Sequence, residues 1–175
     1  MSRKHSHLTR LERIWINDPI FFITTNTAGR KKILASNVAA AVLTDEWQRA
    51  RERHGWAVGR YVIMPEHVDF FCTPCRDAES LSNFMMAWKQ WTSKLLSREC
   101  RLQSPIWQAE FLDYVLRNED SYEQRYEYMV KNPVRAGLVS STDDWPWQGE
   151  IERLLLAVRT CFPAGGHRPR IQKPI

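Results

Sequence analysis

His67 and Asp69 stand two positions apart in the stretch Arg60-Tyr-Val-Ile-Met-Pro-Glu-His-Val-Asp-Phe-Phe-Cys72. Tyr61 to Met64 and Val68 to Cys72 are rich in β-branched and aromatic residues, which predicts two buried antiparallel strands. They hinge at Met64-Pro65-Glu66-His67, where proline presets φ for a reversal of the chain. Side chains along a strand alternate faces, so the imidazole and the carboxylate share one face while Val68 and Phe70 take the other. A carboxylate inside an apolar strand is unfavourable unless it is paired or holds a cation. Two readings are open: a divalent-metal site, or an edge-strand His and Asp facing water.

A second group of candidates lies further along. A helix expected from about Ser121 to Lys131 carries Tyr122, Tyr126 and Tyr128. Tyr122 and Tyr126 are one turn apart and share a face, whereas Tyr128 lies roughly 200° round from Tyr126. Asn132 is one turn beyond Tyr128 and on its side. If this helix crosses the sheet near the hairpin, a phenol and an amide converge on His67 and Asp69. Otherwise Tyr128 packs in the core with its hydroxyl on backbone.

The elements that would position these groups are legible in order. Ile20 to Asn26 reads as a first strand, apolar on both faces at its start and hence central. Ser36 or Asn37 caps a helix running to about His54, with Val38, Val42, Leu43, Trp47 and Ala50 at helical spacing and Gly55 beyond it. The strand from Trp56 to Met64, the turn and the third strand come next. A helix opening at Asp77 to Ser80 carries the apolar stripe Leu81, Phe84, Met85, Trp88 and Leu95, read as core. Lys89 and Lys94 fall away from that stripe, where they meet either a phosphate backbone or water alone. A short fourth strand is expected within Phe111 to Leu116, and Trp145-Pro-Trp147 as an aromatic lid. The fold class is therefore α+β: a ferredoxin-like split βαβ, an antiparallel sheet with helices packed on one face.

Residues 1–13 form a basic arm, 14–148 the domain proper, and 149–175 a short helix (Ile151 to Cys161) with a basic tail expected to lack fixed structure. The chain of 175 residues is 43% apolar with a net charge of +5, which permits a polyanionic partner without requiring one. No run approaches the roughly 18 apolar residues of a membrane span, and Arg10, Arg13 and Asp18 interrupt any leader-like stretch, so a cytoplasmic protein without membrane contact is expected. Cys72-Thr-Pro-Cys75 has the spacing of half a zinc site, but no second Cys or His pair follows it.

Taken together, Tyr61-Val-Ile-Met-Pro-Glu-His-Val-Asp69 and Tyr128-Met-Val-Lys-Asn-Pro-Val-Arg-Ala-Gly-Leu138 strongly resemble the REP-associated tyrosine transposases, single-tyrosine nucleases related to insertion-sequence transposases. Trp107-Gln108 and Trp145-Pro-Trp147 also match, and the resemblance covers roughly residues 10 to 148. It implies a Mg²⁺- or Mn²⁺-dependent nicking and strand transfer on single-stranded or hairpin DNA. Tyr128 would be the nucleophile of a 5′-phosphotyrosine intermediate, with His67, Asp69 and Asn132 around the metal. Lys89, Lys94 and Arg135 would hold phosphates. Where the family has His-hydrophobic-His, the second position here is Asp69. Its carboxylate suits a hard cation but adds about one negative charge relative to neutral His. The resemblance thus leaves an alternative, a hairpin-binding protein with weakened chemistry. Tyr114 also stands where relatives often carry His.

Overall fold

The runs of β-branched and aromatic residues become the strands of one sheet, and the helically spaced apolar residues become the helices laid across it. The computed structural model describes residues 19–116 and 119–154. The expected basic arm, the Asn118 cap and the basic tail lie outside those residues, as does most of the helix expected over 151–161. In chain order the elements are β1 (Phe21–Asn26), α1 (Asn37–Gln48), α2 (Ala50–His54), β2 (Trp56–Ile63), β3 (His67–Pro74) and α3 (Leu81–Glu99). They continue with β4 (Leu112–Val115), α4 (Glu119–Val130), α5 (Asn132–Arg135) and β5 (Gln148–Glu150). The sheet order is β4-β1-β3-β2-β5, with every pair antiparallel. The first four strands have the split βαβ arrangement expected, with β3 returning between β1 and β2.

Local chemistry sets the element ends. Ser36 accepts a hydrogen bond from the Ala39 amide and Ser80 one from Asn83, so both long helices begin on serine caps. The single helix expected to reach His54 is divided at Arg49 into α1 and α2. Gly55 then ends α2 at φ 73°, and a Cβ there would stand 2.6 Å from the Ala78 backbone. The helix expected to halt at Asn132-Pro133 instead restarts as α5. Proline falls in its first turn, where a missing amide donor leaves no bond unmade.

The two faces of the sheet are covered differently. Val68, Phe70 and Cys72 of β3 face α1 and α3, in a core with Leu43, Trp47, Phe84, Met85, Trp88 and Ile106. Trp47 and Trp88 stack at 5.6 Å, and Trp107 donates to Thr92 at 2.9 Å within the same core. Burying each such side chain contributes roughly 1.5–3 kcal/mol. Phe22 and Phe71 project to the other face, where α4 covers them through Tyr122 and Met129. The expectation of helices on one face therefore holds for α1 and α3 but not for α4. The reason is physical: Phe22, Val62 and Phe71 leave an apolar surface there that must also be covered.

The body runs on past residue 148. β5 adds an edge strand beside β2, and Leu154 is buried against Gly59, whose added Cβ would meet the leucine at 2.6 Å. Trp145 is buried and donates to the Ile63 carbonyl at 3.1 Å, which ties the aromatic lid to the end of β2.

Candidate active site on the face of the sheet crossed by α4

The turn between β2 and β3 is held from both sides. The Met64 amide donates to the His67 carbonyl at 2.8 Å, while Ile33 and Leu34 donate to Pro65 and Thr27 donates to Glu66. A turn so anchored fixes where His67 and Asp69 stand. Alternation then sends both to the face that α4 crosses, as their spacing required.

Asp69 is 3% exposed and well supplied with donors. Its cross-strand neighbour Thr24 gives a hydroxyl to Oδ1 at 2.5 Å, and Asn132 gives its amide nitrogen to Oδ2 at 2.7 Å. His67 Nε2 is 3.6 Å from the same Oδ2, and Nδ1 is 3.1 Å from Glu66 Oε1. The imidazole thus lies between two carboxylates. Burial pulls His67 down, but the hydrogen bond and charge of Asp69, with those of Glu66, outweigh it and raise the group above its ordinary value.

Tyr128 projects outward on α4 and is 55% exposed, while Tyr122 is buried and Tyr126 half-buried on the opposite side of the helix. The core-packed alternative for Tyr128 is therefore excluded. Arg135 holds its guanidinium 3.8 Å over the Tyr128 ring, donates to the Tyr128 carbonyl at 2.9 Å and donates to Asn132 Oδ1. A continuous set of contacts runs His67–Asp69–Asn132–Arg135–Tyr128.

The donor chemistry fits a small hard cation at two positions. With Nδ1–H donated to Glu66, the Nε2 lone pair of neutral His67 is left for a metal, the usual arrangement of a ligating imidazole. Oδ2 of Asp69 retains a lone pair beyond its bond to Asn132. The 3.6 Å between them compares with about 3 Å for adjacent ligands at bonds of ~2.1 Å. Asn132 differs from its expected role: its oxygen is given to Arg135 and its nitrogen to Asp69, so it would ligate only after turning over. Among the described residues no three His, Cys, Asp or Glu side chains gather into a metal-holding group.

The two lysines stand apart from this site. Lys89 donates to the carbonyls of Gln108, Ala109 and Glu110 at 2.9, 3.1 and 2.9 Å, and burial pulls it down to about 8 against the opposing charge of Glu110. An ammonium has three protons to give, so Lys89 clamps the segment before β4 and has none left for a phosphate. Lys94 is exposed but lies 4.9 Å over the Trp91 ring on α3, the helix that covers the other face of the sheet. Of the three expected phosphate contacts only Arg135 adjoins Tyr128. The residues that sequence reasoning passed over are Glu66 and Thr24. Glu66 sits inside the quoted motif, whereas Thr24 is identified only by the register that sets it opposite Asp69.

The site thus belongs to an α+β protein whose split βαβ sheet carries His67 and Asp69, joined through Asn132 and Arg135 to the exposed Tyr128. The chain is similar to a REP-associated tyrosine transposase of Escherichia coli K12, 26% identical over 144 residues, covering 80% of this chain and 81% of that protein. It is similar also to a putative REP-associated tyrosine transposase of Haemophilus influenzae, 24% identical over 94 residues, 49% of this chain and 53% of that one. The fold matches the solved structure of a REP-associated tyrosine transposase bound to a REP hairpin, with a TM-score of 0.61 and 21% identity, over 90% of this chain and 93% of that one. No known family profile matches the chain. The resemblance carried by the two motifs extends to most of the fold. Among the described residues no helix is long and apolar enough to cross a membrane.

Proposed function

We propose that this protein nicks and rejoins single-stranded DNA beside a hairpin, with Tyr128 as the nucleophile. The observation that carries the reading is the contact chain from His67 and Asp69 through Asn132 and Arg135 to an exposed phenol. The likeness to REP-associated transposases, one of them solved with a REP hairpin, supports it. Tyr128 Oη forms a bond to the scissile phosphorus, losing its proton. The bond from phosphorus to the 3′-oxygen breaks, that oxygen takes up a proton, and a 5′-phosphotyrosine link remains for rejoining. Arg135 meets the phosphate, since its planar fork suits phosphate oxygens. His67 Nε2 and Asp69 Oδ2 would hold Mg²⁺ or Mn²⁺, which when bound polarises a phosphate oxygen and offsets its growing charge.

The test is an adduct assay with labelled hairpin DNA and Mn²⁺, read on a denaturing gel. A shifted band is expected with the wild type, Tyr122→Phe and Tyr126→Phe, and none with Tyr128→Phe. An adduct that survives in Tyr128→Phe refutes the assignment.

A second reading is favoured by the hydrogen bonds at Asp69: both its oxygens already accept, and Asn132 turns its amide nitrogen to Asp69 while its oxygen faces Arg135. On that reading the protein binds hairpin DNA with weakened chemistry. Binding without an adduct at any Mn²⁺ concentration, with an adduct gained in Asp69→His, would identify it.

A further inference from the structure

This inference rests on the DNA reading and names where the unpaired strand lies. On β4, Leu112 is 68% and Tyr114 44% exposed. Leu112 pairs with Thr24, which pairs with Asp69; Tyr114 pairs with Phe22, which pairs with Phe71. Directly opposed residues share a face of a sheet, so both side chains lie on the face of Asp69. Strands are spaced about 4.8 Å, which puts Leu112 roughly 10 Å from Asp69 across the sheet. Asp113, between them, pairs with Ile23 and therefore takes the other face.

The charge above this surface has the sign that phosphate requires. Arg125 of α4 holds its guanidinium 4.8 Å over the Tyr114 ring and 5.2 Å over the Phe22 ring. A strand facing water ordinarily shows it polar side chains, yet here it shows a leucine and a tyrosine under a cation. That pairing complements an unpaired nucleotide, whose base has an apolar flat face to stack on the ring and whose phosphate meets the guanidinium. A duplex has its base faces already stacked and gains nothing from such a surface. We propose that Leu112, Tyr114 and Arg125 form a stacking platform for single-stranded DNA flanking the hairpin, which guides that strand across the sheet past Asp69.

The experiment compares binding of two oligonucleotides, a bare hairpin and the same hairpin with a single-stranded flank, to full-length wild type, Tyr114→Ala and Tyr114→Trp. The wild type is expected to prefer the flanked DNA, and Tyr114→Ala to lose about 5- to 100-fold of that preference with the bare hairpin bound as before. Tyr114→Trp keeps the preference, because a larger ring also stacks. 2-Aminopurine placed in the flank should be quenched by the wild type and not by Tyr114→Ala. The platform alone is overturned if the flank adds no affinity, if Tyr114→Ala prefers the flanked DNA as the wild type does, or if it loses both DNAs equally. A wild type that binds neither oligonucleotide overturns the DNA reading and the platform with it.

Discussion

The two faces of this sheet are built from the same strands and held by different physics. On one, Val68, Phe70 and Cys72 meet stacked tryptophans in a dry core with α1 and α3. On the other, one residue out of step along β3, His67 and Asp69 stand in a hydrogen-bonded set with Thr24, Glu66 and Asn132, beside the smaller apolar cluster under α4. The first face gains stability from area removed from water and tolerates little loss of volume. The second holds buried polar atoms that are satisfied only as a group, so its geometry is specified by directed bonds. A strand of alternating character thus divides the work, one face holding the fold and the other holding His67 and Asp69 in a fixed set of hydrogen bonds.

Substitutions on each face should separate these roles. On the proposed function Tyr128→Phe has the largest expected effect on chemistry: adduct formation falls at least ~10³-fold, because no other group takes the place of the Tyr128 hydroxyl. The variant's thermal unfolding should match the wild type within about 0.5 kcal/mol, since the residue is exposed. Trp88→Ala, on the helix face, should do the reverse and cost about 3–5 kcal/mol in denaturant unfolding. An adduct yield per folded molecule that falls with it would break the division between faces. Asp69→Ala is intermediate, at about 1–3 kcal/mol, because Thr24 and Asn132 lose their acceptor inside the protein. It should also abolish any Mn²⁺ binding seen by calorimetry with the wild type.

How far the sequence foretold this division depends on the range of the interaction. Alternation along β3 is local, so the shared face of His67 and Asp69 was legible from two residues. Helical phase is local too, and it correctly separated Tyr128 from Tyr122 and Tyr126. The partners of those residues are not local. Thr24 reaches Asp69 only through the β1–β3 register, and Lys89 is spent on carbonyls twenty residues onward because α3 packs beside that segment. The cover of α4 on the second face was missed for a related reason: Phe22 and Phe71 read as apolar strand residues whichever face they take. β5 escaped notice because Gln148, Gly149 and Glu150 have weak strand preference, and pairing with β2 decides their state.

The smallest effect bears on the same contrast and has a definite sign. Tyr61 lies on the helix face with its ring 5.0 Å from Trp47, and Tyr122 lies on the other face with its ring 4.4 Å from Phe71. Burial raises both phenols above the ordinary value near 10. For Tyr122 the rise is the larger; Arg60 opposes it, and Glu150, Glu123 and Tyr126 add to it. A phenol raised in the folded chain keeps its proton after the unfolded chain has lost it. The unfolded state then binds fewer protons, so stability falls with rising pH. Any contribution from either tyrosine is fully present below about pH 10 and is lost as pH climbs toward the folded value. Tyr122→Phe should therefore flatten the decline of unfolding free energy between about pH 10 and 12, and Tyr61→Phe should flatten it less. Equal slopes in the two variants would mean that α4 shields its face from water no better than the edge of the tryptophan core shields Tyr61. A slope unchanged in Tyr122→Phe would mean that the cover of α4 opens before the rest of the sheet unfolds.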